Sequence, residues 1–192
     1  MVATVKDRVQ KNLEGEHVKG MWAWTALRIL LGWSFFWAFI DKMFGLGFAT
    51  CRADESSSID FFCNASMIKG GSPTFGFLTF ATSGSHLGGL FDWMASSGPD
   101  TIGVADVAFM AALLLGGLAL MFGVGVRTAA IGGALLMAFM FLASEVWPEN
   151  NPVNSSHIIE MVAFLGIATV GPGAFSLQKW ARAHLGPLGQ VP

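Results

Sequence analysis

His157 and Glu160 stand three residues apart in "NSSHIIEMVAFLGIATV", at the mouth of an apolar stretch. At that spacing an imidazole and a carboxylate share one helix face and can serve one site. Capping does not account for both, because Asn154, Ser155 or Ser156 would cap the helix without them. Asp41, Asp106 and Glu145 fall at the same end of their own apolar stretches. A charged group at membrane depth costs about 2.5–3.5 kcal/mol on insertion scales and normally faces the protein interior, so this polar mouth is the first candidate site. The same three acids also read as interfacial residues in water, with Asp106 complementing a helix dipole. Arg28 lies elsewhere, six residues or about 9 Å into the first stretch from its start. It reads either as a side chain snorkelling to headgroups or as a holder of a buried carboxylate. No zinc pattern, phosphate loop or Ser-His-Asp order is present, and no histidine lies deep enough to ligate a buried haem.

Composition fixes the elements that must position these groups. Of 192 residues, 53% are hydrophobic and 12% charged, with a mean hydropathy of +0.57, against roughly 25% charged in a soluble domain. The chain reads as a single all-α integral membrane domain. A net charge of -2 and a pI near 6.0 give no reason to invoke nucleic acid. About 20 apolar residues are needed to cross a bilayer, and four stretches qualify: 22–40, 102–122, 128–146 and 157–175. The last is marginal, since "GPG" at 171–173 should break it. The expected architecture is a four-transmembrane-helix bundle with a long outer connection. None of the stretches has the form of a signal peptide.

Lys and Arg outside the spans set the orientation. Lys6, Arg8, Lys11, Lys19, Arg127, Lys179 and Arg182 lie on one side, and Lys42, Arg52 and Lys69 on the other. The tails 1–21 and 176–192 are therefore expected in the cytoplasm, with 41–101 and 147–156 outside. Cys51 and Cys63 both fall in the outward connection, where an oxidising compartment favours a disulfide over free thiols. A C-x11-C spacing carries no metal-site signal. Asn64 and Asn154 open sequons on the same side.

Within 41–101, "PTFGFLTFATSGSHLGGLFDWM" is too broken by glycine to span alone. It reads as one or two short interfacial helices, either a lid over the bundle or a surface-seated loop anchored by its aromatics. Ala112 with Gly116, and Ala129 with Gly133, place small residues on single helix faces that let backbones approach. Such faces serve a tight monomer or a homodimer equally.

"RILLGWSFFWAFIDK", "GSPTFGFLTFATSG", "GLALMFGVGVRTAAIGGALLM" and "PENNPVNSSHIIEMV" together resemble the DoxX/DoxD family of small four-helix bacterial membrane proteins, in the branch similar to the large subunit of thiosulfate:quinone oxidoreductase. The resemblance covers about 22–180. It implies oxidation of thiosulfate or another small reduced sulfur compound, with quinone as electron acceptor and sole cofactor. The matching positions are Arg28, Asp41, Lys42, Arg127, Asn151, Pro152 and His157. That enzyme has a second subunit, and no counterpart is fused here. On this reading Lys42, Arg52 and His86 would supply positive charge for the anion, and Trp33, Phe35, Phe36 and Trp37 would flank a quinone ring. His157, Glu160, Asp106 and Arg28 would be the catalytic set, with Arg28 on a quinone carbonyl. Cys51 and Cys63 would form a structural bridge or a redox relay.

Three roles follow: the enzyme itself, a non-catalytic anchor or assembly subunit of a respiratory or oxidative-stress complex, and a small-ion or solute transporter. The inner half lacks carboxylates to continue an ion path, which disfavours the third.

Overall fold

The computed structural model describes residues 2–52, 60–145 and 155–184, with side chains described from residue 20 onward except at 144, 145, 179 and 182. Every regular element among them is helical. Helix α1 runs unbroken over Val2–Phe44, so the polar start of the chain continues the first apolar helix. Its apolar part, Gly20–Phe44, has 25 residues, about 37 Å at 1.5 Å per residue, enough for a hydrocarbon core of roughly 30 Å. The long connection contains a 3-10 turn at Met67–Lys69, a π turn at Phe77–Ala81 and helix α2 at Gly88–Met94. Helices α3 (Val104–Phe122) and α4 (Val126–Met140) form a hairpin, and a π turn at Phe141–Glu145 extends α4. Helices α5 (Ser156–Val170) and α6 (Gln178–His184) follow.

Among the described residues three helical stretches are long and apolar enough to cross a membrane: Gly20–Phe44, Val104–Phe122 and Val126–Ala143. The fourth expected span, 157–175, is shorter than its apolar run. Helix α5 stops after 15 residues at Gly171, whose φ of 83° and ψ of -158° leave the helix, and Pro172 has no N–H with which to resume it. The α3–α4 hairpin turns on Gly123 and Gly125, with φ of 69° and 60°, a conformation that side-chain-bearing residues adopt only under strain.

Helix α1 packs along α3 and α4 along α5, while α3 meets α4 and α1 touches α5 more narrowly. Gly32 and Gly117 face each other across α1 and α3: a Cβ on Gly32 would stand 2.9 Å from the Gly117 carbonyl oxygen, and one on Gly117 3.0 Å from that of Gly32. Small residues thus bring α1 and α3 together, but not through the faces that four-residue spacing suggested. Against Gly116 lies the Phe35 ring and against Gly133 the Phe164 ring. Those faces instead line a groove of about 180 Å³ bounded by Phe35, Ala112, Gly116, Ala129, Gly132, Gly133 and Leu136. Large rings fill the space that backbones would otherwise close, and Phe35 and Phe164 meet at 5.1 Å between centroids.

Leu31, Met110, Leu113, Leu120, Met137 and Ile167 complete the core. Leu30, Trp33, Leu115, Leu135, Ile159 and Val162 are exposed, whereas Thr25, Arg28, Asp41 and Asp106 are buried. Large apolar side chains left outside while these charged groups are buried depart from the pattern of a water-soluble domain and suit helices solvated by lipid. At the end bearing the long connection, Leu78 and Phe91 are buried against Ala143, with Phe91 edge-on to Phe139 at 5.1 Å. Part of the 73–94 segment therefore covers the end of α4, while Phe80 and Trp93 in the same segment remain exposed.

Candidate functional site

Asp106 is fully buried in the first turn of α3. Its Oδ2 accepts from the Gly103 N–H at 2.8 Å, closing the start of the helix. Its Oδ1 accepts from Ser72 Oγ at 2.7 Å, Thr74 Oγ1 at 2.7 Å and the Thr74 N–H at 2.9 Å. Both oxygens are engaged and shielded from solvent. The residue read as interfacial or catalytic is a fastening that holds the connection to α3, and its dipole-complementing position is part of that fastening.

Asp41 does the same at the end of α1. It too is fully buried. Its Oδ1 accepts from the Phe48 N–H at 2.9 Å and its Oδ2 from the Ala49 N–H at 3.0 Å, folding 45–49 back over the helix end. An interfacial carboxylate in water is thus ruled out for both aspartates. Buried carboxylates are tolerated where donors converge on them, and here most of the donors are backbone N–H groups.

The Cys51–Cys63 disulfide is present, with Cα atoms 5.5 Å apart. Its Cys51 sulfur rests against Gly45. Cys51 O accepts from the Asp60 N–H at 3.2 Å, and Cys63 O from Ser66 Oγ at 2.7 Å. The 3-10 turn that follows packs on α1. The bridge thereby ties the connection to the same helix end that Asp41 shapes.

His157 and Glu160 occupy the first turns of α5, both half-buried. Ser155 makes the cap, its Oγ accepting from the Ile158 N–H at 3.2 Å. Among the described residues the Glu160 carboxylate has no hydrogen-bond or ion-pair partner. Asp41 and Asp106 are taken up instead by donors on 48–49 and on 72–74 and 103. Of the five groups expected at one mouth, Asp41 and Asp106 are thus two fastenings and His157 and Glu160 an α5 pair, while the fifth is Glu145. Lys42 is half-buried, and Arg52 and His86 are exposed. The Glu145 side chain, Asn151, Pro152 and the Asn154 sequon lie outside the described residues. Among those described, no three His, Cys, Asp or Glu groups are placed to hold a metal ion.

Trp33 stacks on Trp37 at 6.0 Å and meets Phe36 at 6.2 Å, forming an aromatic ladder along α1 on which Trp33 is exposed. Phe35 does not belong to it, being turned into the core.

Arg28 does not snorkel. It is 1% exposed and lies at the opposite end from the long connection, beside the α3–α4 turn. Its Nη2 donates to the carbonyls of Ala174 at 3.3 Å and Phe175 at 3.1 Å, in the strap that follows α5. Thr25 Oγ1 accepts from the Ala174 N–H at 3.1 Å, Ser176 Oγ donates to Gly123 O at 2.6 Å, and the Leu177 N–H to Phe122 O at 3.0 Å. The chemistry of "GPGAFS" gave no sign of this strap, because its contribution is backbone carbonyls rather than side chains.

Comparison of the chain with protein-family models, with curated proteins and with solved structures finds no match.

Proposed function

We propose that the chain is a DoxX/DoxD-like membrane subunit that anchors or assembles a bacterial redox complex, one in which a small reduced sulfur compound such as thiosulfate is oxidised and quinone accepts the electrons. In this reading α5 is the fourth crossing of a four-helix bundle in the plasma membrane, with both termini cytoplasmic. Support for the crossing comes from the hydrogen bonds that bring the end of α5 to the α3–α4 turn and from the exposed apolar face of Ile159, Val162 and Leu165.

The observation that carries the scaffold role is the engagement of both buried aspartates in holding the long connection. Carboxylates whose oxygens are taken up and shielded are poorly placed to move protons or to pass cations. What they maintain is a fixed surface at the outer end, the kind of surface a second redox subunit needs. The transport reading loses two of its acidic groups for the same reason.

A second reading, catalysis by this chain itself, is favoured by Glu160. Its half-buried carboxylate has no described partner and shares a helix face with His157.

Purification from native membranes in mild detergent separates the two. The scaffold role is expected to yield a co-purifying subunit and thiosulfate-dependent quinone reduction that disappears when that subunit is stripped away. Reduction that stays with this chain after stripping would favour catalysis.

A further inference from the structure

The guanidinium of Arg28 is incompletely satisfied. Of its five N–H bonds, those on Nη2 meet two backbone carbonyls, while Nε and Nη1 have no partner among the described residues and no exposed surface. Its described partners include no carboxylate. A buried cation that lacks both a counter-charge and acceptors is strongly unfavourable. A neutral acceptor such as water or a carbonyl would supply hydrogen bonds but leave the charge unbalanced. An oxyanion would do both, and guanidinium to phosphate is among the stronger charge-assisted pairings.

Two further observations bear on the ligand. The strap that closes on Arg28 has left-handed φ angles at Gly171, Gly173 and Phe175, of 83°, 63° and 51°. Phe175 carries a side chain in a region that disfavours one, so the strap is held in a strained conformation by its hydrogen bonds to α1 and to the α3–α4 turn. At this end Trp22, Phe175 and Trp180 are all exposed, with Trp22 edge-on to Phe175 at 5.1 Å. Aromatic groups of this kind gather at headgroup level, where phosphate is concentrated.

We propose that Arg28 is the anchor of a phosphate-binding site at the turn end of the helices, reached when the 171–177 strap lifts. The phosphate comes from a phospholipid headgroup or from free inorganic phosphate. The proposal holds whether the chain is a scaffold or an enzyme.

The test uses the full chain in micelles of a phosphate-free maltoside detergent. Inorganic phosphate is titrated against chloride at constant ionic strength, and in a separate arm phosphatidylglycerol is added to the micelles. Binding is expected to raise Tm on the order of 5 °C at a hundredfold excess over Kd, and to change hydrogen exchange across 171–177. A response to inorganic phosphate identifies a soluble ligand. A response to phosphatidylglycerol alone, with that lipid retained in native mass spectra, identifies a headgroup. Arg28→Met fills the same space without charge and is expected to abolish either response. If it does not fold, Arg28→Lys keeps the charge with fewer fixed donors and is expected to weaken binding at least tenfold. No response in the wild type, or an equal response in the variant that folds, would overturn the proposal.

Discussion

Nη1 of Arg28 occupies the space that a Cβ on Gly123 would take. The first helix and the α3–α4 turn are therefore fitted to each other at a single point, and Ser176 closes the fit by donating to the Gly123 carbonyl at 2.6 Å.

Gly123→Ala should expose that fit. The left-handed backbone at φ 69° disfavours any L side chain by about 1–2 kcal/mol, and crowding a packed site adds about 1–3 kcal/mol. A Tm loss on the order of 10 °C is expected by thermal unfolding in detergent. In an Arg28→Ala background, which empties that space, the loss should shrink by at least about 1 kcal/mol, since the two residues share one contact. Full additivity would mean that the guanidinium does not fill the space.

Asp106→Ala leaves four donors without an acceptor: Gly103 N–H, Ser72 Oγ, Thr74 N–H and Thr74 Oγ1. Stability should fall by on the order of 3 kcal/mol, and the connection near Ser72 should become sensitive to protease before the helices do. Unchanged proteolysis with lost activity would instead make Asp106 a chemical group.

Reducing the Cys51–Cys63 bridge, or changing both residues to serine, should destabilise by about 3 kcal/mol for a loop of this length. The effect should be confined to the connection and to its seat on α1. On the proposed function, quinone reduction by the assembled complex should survive. Its loss in a protein whose connection remains protease-resistant would support a redox relay.

Gly117→Val drives a branched side chain into the backbone of α1, where even a Cβ would stand 2.9 Å from the Phe36 nitrogen. Overpacking of this kind costs about 1–3 kcal/mol, more where backbone must move. Gly132→Val is the control, because a Cβ there meets nothing within 4 Å. Near-wild-type Tm is expected for Gly132→Val and a clear loss for Gly117→Val, both read in the same detergent.

Much of this fold is legible in the sequence because span length is local. The apolar runs that define α1, α3 and α4 lie close to the expected 22–40, 102–122 and 128–146, and the two cysteines sit in one connection where pairing is the simple outcome. The roles of Asp41, Asp106 and Arg28 were not legible. Each is satisfied at least in part by backbone groups, and backbone N–H and C=O carry no residue identity. Arg28 and the Ala174 carbonyl are separated by 146 positions, and no residue type in "GPGAFS" marks an arginine partner. Small-residue spacing pointed to the right helices but the wrong contacts, because Phe35 and Phe164 claim the space beside Gly116 and Gly133 while Gly32 and Gly117 make the close approach.

The most direct measurement is anaerobic reduction of a soluble quinone analogue, with thiosulfate as donor, by the homogeneous chain in nanodiscs, alongside His157→Ala and Glu160→Ala. A scaffold subunit is expected to show no turnover by itself in folded, disulfide-intact form, and to restore turnover once its partner subunit is added. Turnover by the chain alone, lost in both variants without loss of fold, would contradict the scaffold role and make the α5 pair an active site.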